Sequence, residues 1–202
     1  MKVVLSERKM MKKLVDKINV IDVESTCWDK NPPPGEASEI IEVGICEVDI
    51  GELKVCNPRS FIIKPIHSKV GEFCTKLTTL TPEIVSAGQS FQSVLESLRT
   101  LYNSRERVWA SYGDYDRRQF EKNCALYDGL PYPFGSRHLN IKTLVAMCKG
   151  WEEEIGMEQA LGKMGLLLVG THHRGGDDAA NIAKILVEVL KAARRIFNAY
   201  WC

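Results

Sequence analysis

Three short stretches of this chain hold residues whose types and spacing could do chemistry. Asp22 and Glu24 stand two apart at the end of the apolar run Ile18 to Val23. Side chains alternate across a strand, so both carboxylates point to one face. Two such charges side by side repel unless a cation sits between them, and hard divalent cations take carboxylate oxygens. Without a cation, the same pattern is a strand end emerging into solvent. Asp114-Tyr115-Asp116 follows the run RVWASY; an Asp at a strand–helix junction is either a ligand or an ordinary helix cap. The third stretch, His172-His173-Arg174-Gly175-Gly176-Asp177-Asp178, opens the final helical pattern. The helix macrodipole accounts for the two aspartates. It does not account for two histidines in a Gly-rich loop. A His just outside a helix whose first turn carries an Asp can place imidazole and carboxylate around one point, the alternative being surface histidines. Gly175-Gly176 reads as a hinge that lets this loop bend.

The elements around these stretches can be read from periodicity. Lys17 to Val23 is near-continuously apolar, which predicts a central strand buried on both faces. DKNPPPGEAS, 29–38, is a Pro/Gly loop. Glu39 to Val48 and Leu53 to Lys64 predict two further strands joined by a turn at 49–52, a simple meander with the first. Thr81-Pro82-Glu83 starts a helix, with Pro at its first position. Phe91, Val94, Leu95 and Leu98 mark a helix over Ser90 to Tyr102. Arg107 to Tyr112 is a fourth strand, Arg117 to Tyr127 a helix, and His138 to Ile141 a short fifth strand leading into a helix through Cys148. A short helix over Met157 to Met164 precedes the strongest one, Asp177 to Asn198. The result is an α/β domain, with a mixed five-stranded sheet flanked by helices over 17–202 and an N-terminal extension over 1–16.

Composition narrows the classes. The chain has 202 residues and 45% hydrophobic content, which suits one domain with a substantial core. Lys and Arg total 27 against 26 Asp and Glu, so any positive groove must be local. Seven scattered cysteines, with no C-x-x-C pair, argue against a zinc ribbon or a disulfide framework and fit a reducing cytosol. No apolar run suits a signal peptide or a membrane span. The expectation is a soluble, cytoplasmic protein with no membrane partner.

Taken in order, the D-x-E at the end of the first strand, the Asp after the fourth and H-x-x-x-x-D at the last helix resemble the DEDDh exonucleases of the ribonuclease H-like superfamily. The likeness runs over roughly 17–198. VIDVESTCWDKNPPPGEASEIIEVGICEVD, FCTKLTTLTPEIVSAGQSF and HHRGGDDAANIAKIL are most similar to the branch of histone-mRNA and small-RNA exonucleases and their bacterial relatives. The resemblance implies a ribonuclease H-like fold and a metal-dependent 3′→5′ exonuclease releasing nucleoside 5′-monophosphates. It implies two Mg²⁺ ions, with Mn²⁺ as substitute, held by Asp22, Glu24, Asp116 and Asp178. Asp22 is implied to bridge the ions and His173 to take a proton from the attacking water. Asp114 competes with Asp116 for the third position. His172 and Asp177 are neighbours without the primary role.

The same resemblance places substrate beside Thr26, Cys27, Trp28, Leu77, Thr78 and Tyr115, each of which ordinary packing explains equally well. Arg117, Arg118, Lys122, Arg137 and Arg174 are candidates for phosphate contacts or plain solvated charges. Thr79 stands where relatives often carry Gly. Single-stranded RNA is the favoured partner. A DNA exonuclease for repair or proofreading and an inactive nucleic-acid-binding protein on the same fold are the competing readings.

Overall fold

A computed structural model describes residues 14–201, with side chains over 14–199. Residues 1–13, most of the expected extension, lie outside the described residues. The apolar run expected as a central strand is one: β1, Lys17–Ser25, pairs with β2, Ile40–Asp49, on one side and with β4, Val108–Ser111, on the other. β3, Lys54–Ile62, pairs antiparallel with β2, and β5, His138–Asn140, runs parallel to β4. The mixed sheet therefore has the order β3-β2-β1-β4-β5. The third strand begins later than expected because Leu53 sits at φ 52°, still within the turn. Among the described residues no helix is long and apolar enough to cross a membrane.

Alternation on β1 and β2 sorts the core into two layers. Ile18 and Val20, with Cys46 and Val48 opposite them, face the long helix α7, Gly175–Trp201. Helices α5, Ile141–Lys149, and α6, Met157–Lys163, pack into the same layer. Ile21, Val23, Val43 and Ile45 face the other way, onto α3, Phe91–Tyr102, and α4, Tyr115–Leu126. Each strand thus loses its apolar surface to helices on both faces, which removes water from nearly every aliphatic side chain along it. Asp22 and Glu24 continue the row of Ile18 and Val20, so strand period alone turns both carboxylates toward α7.

Glu39, just before β2, fixes the segment after β3. Its buried carboxylate accepts from the Ile66 and His67 amides at 2.9 and 2.8 Å, from Ser68 Oγ at 2.7 Å and from the Tyr127 hydroxyl. Arg107 plays the same part at the other end of the sheet, binding Asp16 and the buried Glu47 at 2.7 Å each.

One helix was not expected. The pattern placed nothing over α1, Glu72–Thr78, about two turns whose start at Gly71 has no side-chain cap. Helix α2, Pro82–Ser86, starts as expected, with the Thr81 hydroxyl accepting from the Ile84 amide. Thr79, the position where relatives often carry Gly, caps α1 in the left-handed region at φ 62°, its amide bonded to the Thr75 carbonyl. A β-branched side chain is strained there by roughly 1–2 kcal/mol, part of which glycine gives back through its freer unfolded chain. Thr79→Gly should therefore stabilise the fold by about 0.5–1 kcal/mol, a rise in Tm of about 2–4 °C per kcal/mol for a domain this size. A thermal melt showing a lower Tm would mean that the Thr79 side chain makes a compensating contact.

Candidate active site

Three backbone devices bring the singled-out acids into one cleft. Asp22 and Glu24 come from the end of β1. Asp116 comes from the first turn of α4, where the chain turns sharply at Gly113, φ 108°. The Val23 amide donates to Asp116 Oδ1 at 3.0 Å, tying that carboxylate to the strand between the first two acids. Asp178 comes from the first turn of α7. That helix reaches the strand because position 44, opposite Asp22 on β2, is glycine. A Cβ on Gly44 would lie 1.8 Å from the Gly175 carbonyl oxygen. Gly175 and Gly176 therefore belong to the helix and serve its close approach to β2. They do not form the loop hinge expected from the sequence; the unusual backbone belongs to His173, at φ 63°.

Carboxylate oxygens of Asp22, Glu24 and Asp178 lie within 4.8 Å of one another. Burial strips water from these groups and crowds like charges. It raises Asp22 well above the ordinary carboxylate range, with Asp116, Glu24 and Asp178 adding repulsion. Burial, then Asp178 and Glu42, push Glu24 up to about 8. Burial raises Asp116 to about 7 against the pull of its own hydrogen bonds. Asp178 Oδ1 is buried with no hydrogen-bond partner. A buried carboxylate oxygen left bare is costly, so this cluster could hold a cation. An all-carboxylate donor set suits Mg²⁺ or Mn²⁺.

The neighbouring acids point elsewhere. Asp114 is half-buried and pairs with Arg117 at 3.4 Å. Asp177 accepts from the Thr171 amide at 2.8 Å, fastening the loop before α7. Both histidines stay at the cleft. His172 Nδ1 lies 2.9 Å from Asp178 Oδ2, and the His173 amide donates to the same oxygen at 2.9 Å. Burial and the neighbouring His172 ring lower His173 below its usual range.

The cleft holds about 380 Å³, and Cys27, Leu77 and Tyr115 line it together with the acids. Of the other residues expected to meet substrate, Thr26 bonds to Ser68 and the Glu39 amide. Thr78 is buried and bonds within its own helix, and Trp28 is not among the lining residues. Thr26 and Thr78 hold the walls in place rather than form them. Sequence reasoning missed Tyr112, Met157 and Ile182, which line the cleft as apolar residues like any others. It also missed Glu42, wholly buried beside Glu24, whose carboxylate takes Arg174 at 3.1 and 3.2 Å and the Gly175 amide at 3.0 Å. Glu42, one of three glutamates in the β-rich run EIIEVGICEV, was the available signal, since a charge buried in a strand demands a partner. Arg174 is thereby taken up by Glu42, and Arg137 by the carbonyls of Leu14 and Glu106.

Residues 19–186 match the family model RNase_T, described as exonuclease. The chain is 28% identical over 199 residues to the human protein 3′-5′ exoribonuclease 1, covering 94% of this chain and 57% of that one. It is 26% identical over 167 residues to the probable 3′-5′ exonuclease KapD of Bacillus subtilis, covering 82% and 80%. Among solved structures it superposes on the nuclease domain of 3′hExo, a DEDDh family member bound to rAMP. The TM-score is 0.74 at 27% identity, over 90% of this chain and 94% of that one. The fold is thus ribonuclease H-like, as the sequence implied. The chain spans about 57% of the length of the exoribonuclease relatives it matches.

Proposed function

Because the chain belongs to the RNase_T exonuclease family, we propose that it is a divalent-metal-dependent 3′→5′ exonuclease acting on single-stranded RNA or short 3′ overhangs, with 17–202 as its catalytic domain. One observation carries this reading: three carboxylates from β1 and α7 converge within 4.8 Å, and one of their oxygens is buried and bare. Asp22, Glu24, Asp116 and Asp178 would hold the divalent ions. Bound divalent ions supply the positive charge that stabilises negative charge building on phosphorus and on the leaving oxygen. Glu24 stands beside the terminal 3′-hydroxyl. His173 accepts the proton of the attacking water, a task for a neutral imidazole. The product is a nucleoside 5′-monophosphate.

The cleft supports end-wise action. A volume of about 380 Å³ suits a single small ligand, hence one terminal nucleotide, with Leu77 and Tyr115 flanking its base. A 3′-phosphate would bring two further negative charges against Glu24. RNA is favoured over DNA because relatives across most of this chain are named exoribonucleases and the related nuclease domain holds rAMP.

The test is a 5′-labelled RNA and a DNA of equal sequence, incubated with Mg²⁺, with excess EDTA, and with a 3′-phosphate. Stepwise shortening of RNA is expected with Mg²⁺, with none in EDTA, slower loss of DNA and protection by the phosphate. Undiminished activity in EDTA, or cleavage of a circular single strand, would overturn the proposal. Faster loss of DNA would move the substrate to the repair class.

A further inference from the structure

The nuclease reading gives His172 no task, yet this residue is bound into the site. Its Nδ1 lies 2.9 Å from Asp178 Oδ2, and its ring stacks on His173 with centroids 4.0 Å apart and planes 22° from parallel. One donor atom each from His172, His173 and Asp178 lies within 4.8 Å of the other two. Donors around one tetrahedral zinc stand about 3.3 Å apart, given bond lengths near 2.0–2.2 Å. The donor separations are therefore within roughly an ångström or two of those around zinc, and the two rings, now stacked, must turn about their side-chain bonds to aim both lone pairs at one ion. The other oxygen of Asp178, Oδ1, is 97% buried with its residue and has no hydrogen-bond partner, so the carboxylate keeps a free lone pair while it holds His172.

The cleft thus contains two donor sets that share one residue. Asp22, Glu24 and Asp178 offer oxygen alone, which suits Mg²⁺ and Mn²⁺. His172, His173 and Asp178 offer two imidazoles and one carboxylate, which suits Zn²⁺, Cu²⁺ or Ni²⁺ and scarcely binds Mg²⁺. Three protein ligands with a fourth position open is a common zinc arrangement. We propose that His172, His173 and Asp178 form a second, transition-metal site, and that Zn²⁺ bound there switches the nuclease off.

The inhibitory half rests on the proposed function. Zinc at this site occupies Asp178, a ligand of the Mg²⁺ set, and covers the nitrogen of His173 that would receive a proton. Because both ions draw on Asp178, they oppose each other. Raising Mg²⁺ should raise the zinc concentration needed for inhibition, and zinc should weaken Mg²⁺ binding by the same factor.

Four histidines make the site directly readable, since only His67 and His138 accompany the pair. The experiment follows the imidazole nitrogens by long-range proton–nitrogen NMR on the whole chain, as ZnCl₂ is added in excess Mg²⁺. A nuclease assay runs over the same titration. The ring nitrogens of His172 and His173 should move to coordinated shifts at about one equivalent, while His67 and His138 stay put. Turnover should fall along the same curve. His172→Gln should weaken zinc binding by more than the roughly 10–100-fold that losing a supporting group costs. It should move the inhibition midpoint by the same factor. Zinc that inhibits while leaving both rings unshifted would overturn the site, and so would an unchanged midpoint in His172→Gln. Rings that coordinate zinc in a protein with no Mg²⁺-dependent nuclease activity would leave the metal site standing and remove the nuclease reading instead.

Discussion

Asp22→Asn should lose at least about 10³-fold in turnover and unfold no more easily than the parent. The first half follows from its proposed place among the metal ligands. Charge stabilisation by bound cations is worth several kcal/mol, and each 1.36 kcal/mol is tenfold in rate. The second half follows from the cluster itself. In metal-free buffer, burial and four neighbouring acids hold the Asp22 carboxyl well above its ordinary range. A group whose protonated form is favoured on folding makes the ionised fold less stable as pH rises through its unfolded value. Asparagine removes that charge while keeping the shape. In EDTA at neutral pH, Asp22→Asn should therefore match or exceed wild type in a denaturant titration; with Mg²⁺ added, wild type should gain stability and the variant little. Asp116→Asn should lose activity in the same way. Asp114→Asn should not, because Asp114 faces Arg117 at the surface. Asp177→Asn should be mild, since an amide oxygen can still accept from Thr171. An inactive Asp114→Asn beside an active Asp116→Asn would exchange their roles.

What the sequence made legible was whatever depends on local period. The strand rhythm at 18–24 put Asp22 and Glu24 on one face, and that face is the one α7 covers. The 3.6-residue stripes found α3 and the body of α7 to within a few residues. What stayed hidden depends on contacts between distant segments. Gly44 and Gly175 look unrelated along the chain, yet their backbones touch, and that contact decides that a glycine pair reads as helix rather than hinge. Helix α1 was missed because seven residues are too few for the spacing of Phe73, Cys74 and Leu77 to stand out as a stripe. The Glu42–Arg174 pair spans 132 positions, and only a charge buried within β2 hinted at it. The choice of Asp116 over Asp114 rested on resemblance; burial and the Val23 hydrogen bond give it a physical ground.

His173→Ala should lower kcat by about 10²–10⁴-fold, the usual contribution of a general base, while Mg²⁺ affinity at the four carboxylates changes little. The neighbouring ring makes this a sharp comparison, because His172 and not His173 makes the side-chain bond to Asp178. His173 meets that oxygen through its backbone amide, which alanine keeps, and leaves its imidazole free to accept a proton. His172→Ala should accordingly act on Asp178, raising the Mg²⁺ concentration needed for half-activity more than it lowers kcat at saturation. The pH profile separates the two further. Burial and the His172 ring hold His173 below 6.5, so its neutral, proton-accepting form persists into mildly acidic solution. In wild type at saturating Mg²⁺ the rate should climb with pH to a plateau, with the midpoint of the climb below 6.5. That limb should vanish in His173→Ala and shift upward in His172→Ala, where the ring that depresses the base is gone. Near-normal kcat in His173→Ala, together with a deep loss in His172→Ala at saturating Mg²⁺, would place the base one residue earlier. The left-handed backbone at His173 would then serve to aim its neighbour instead of itself.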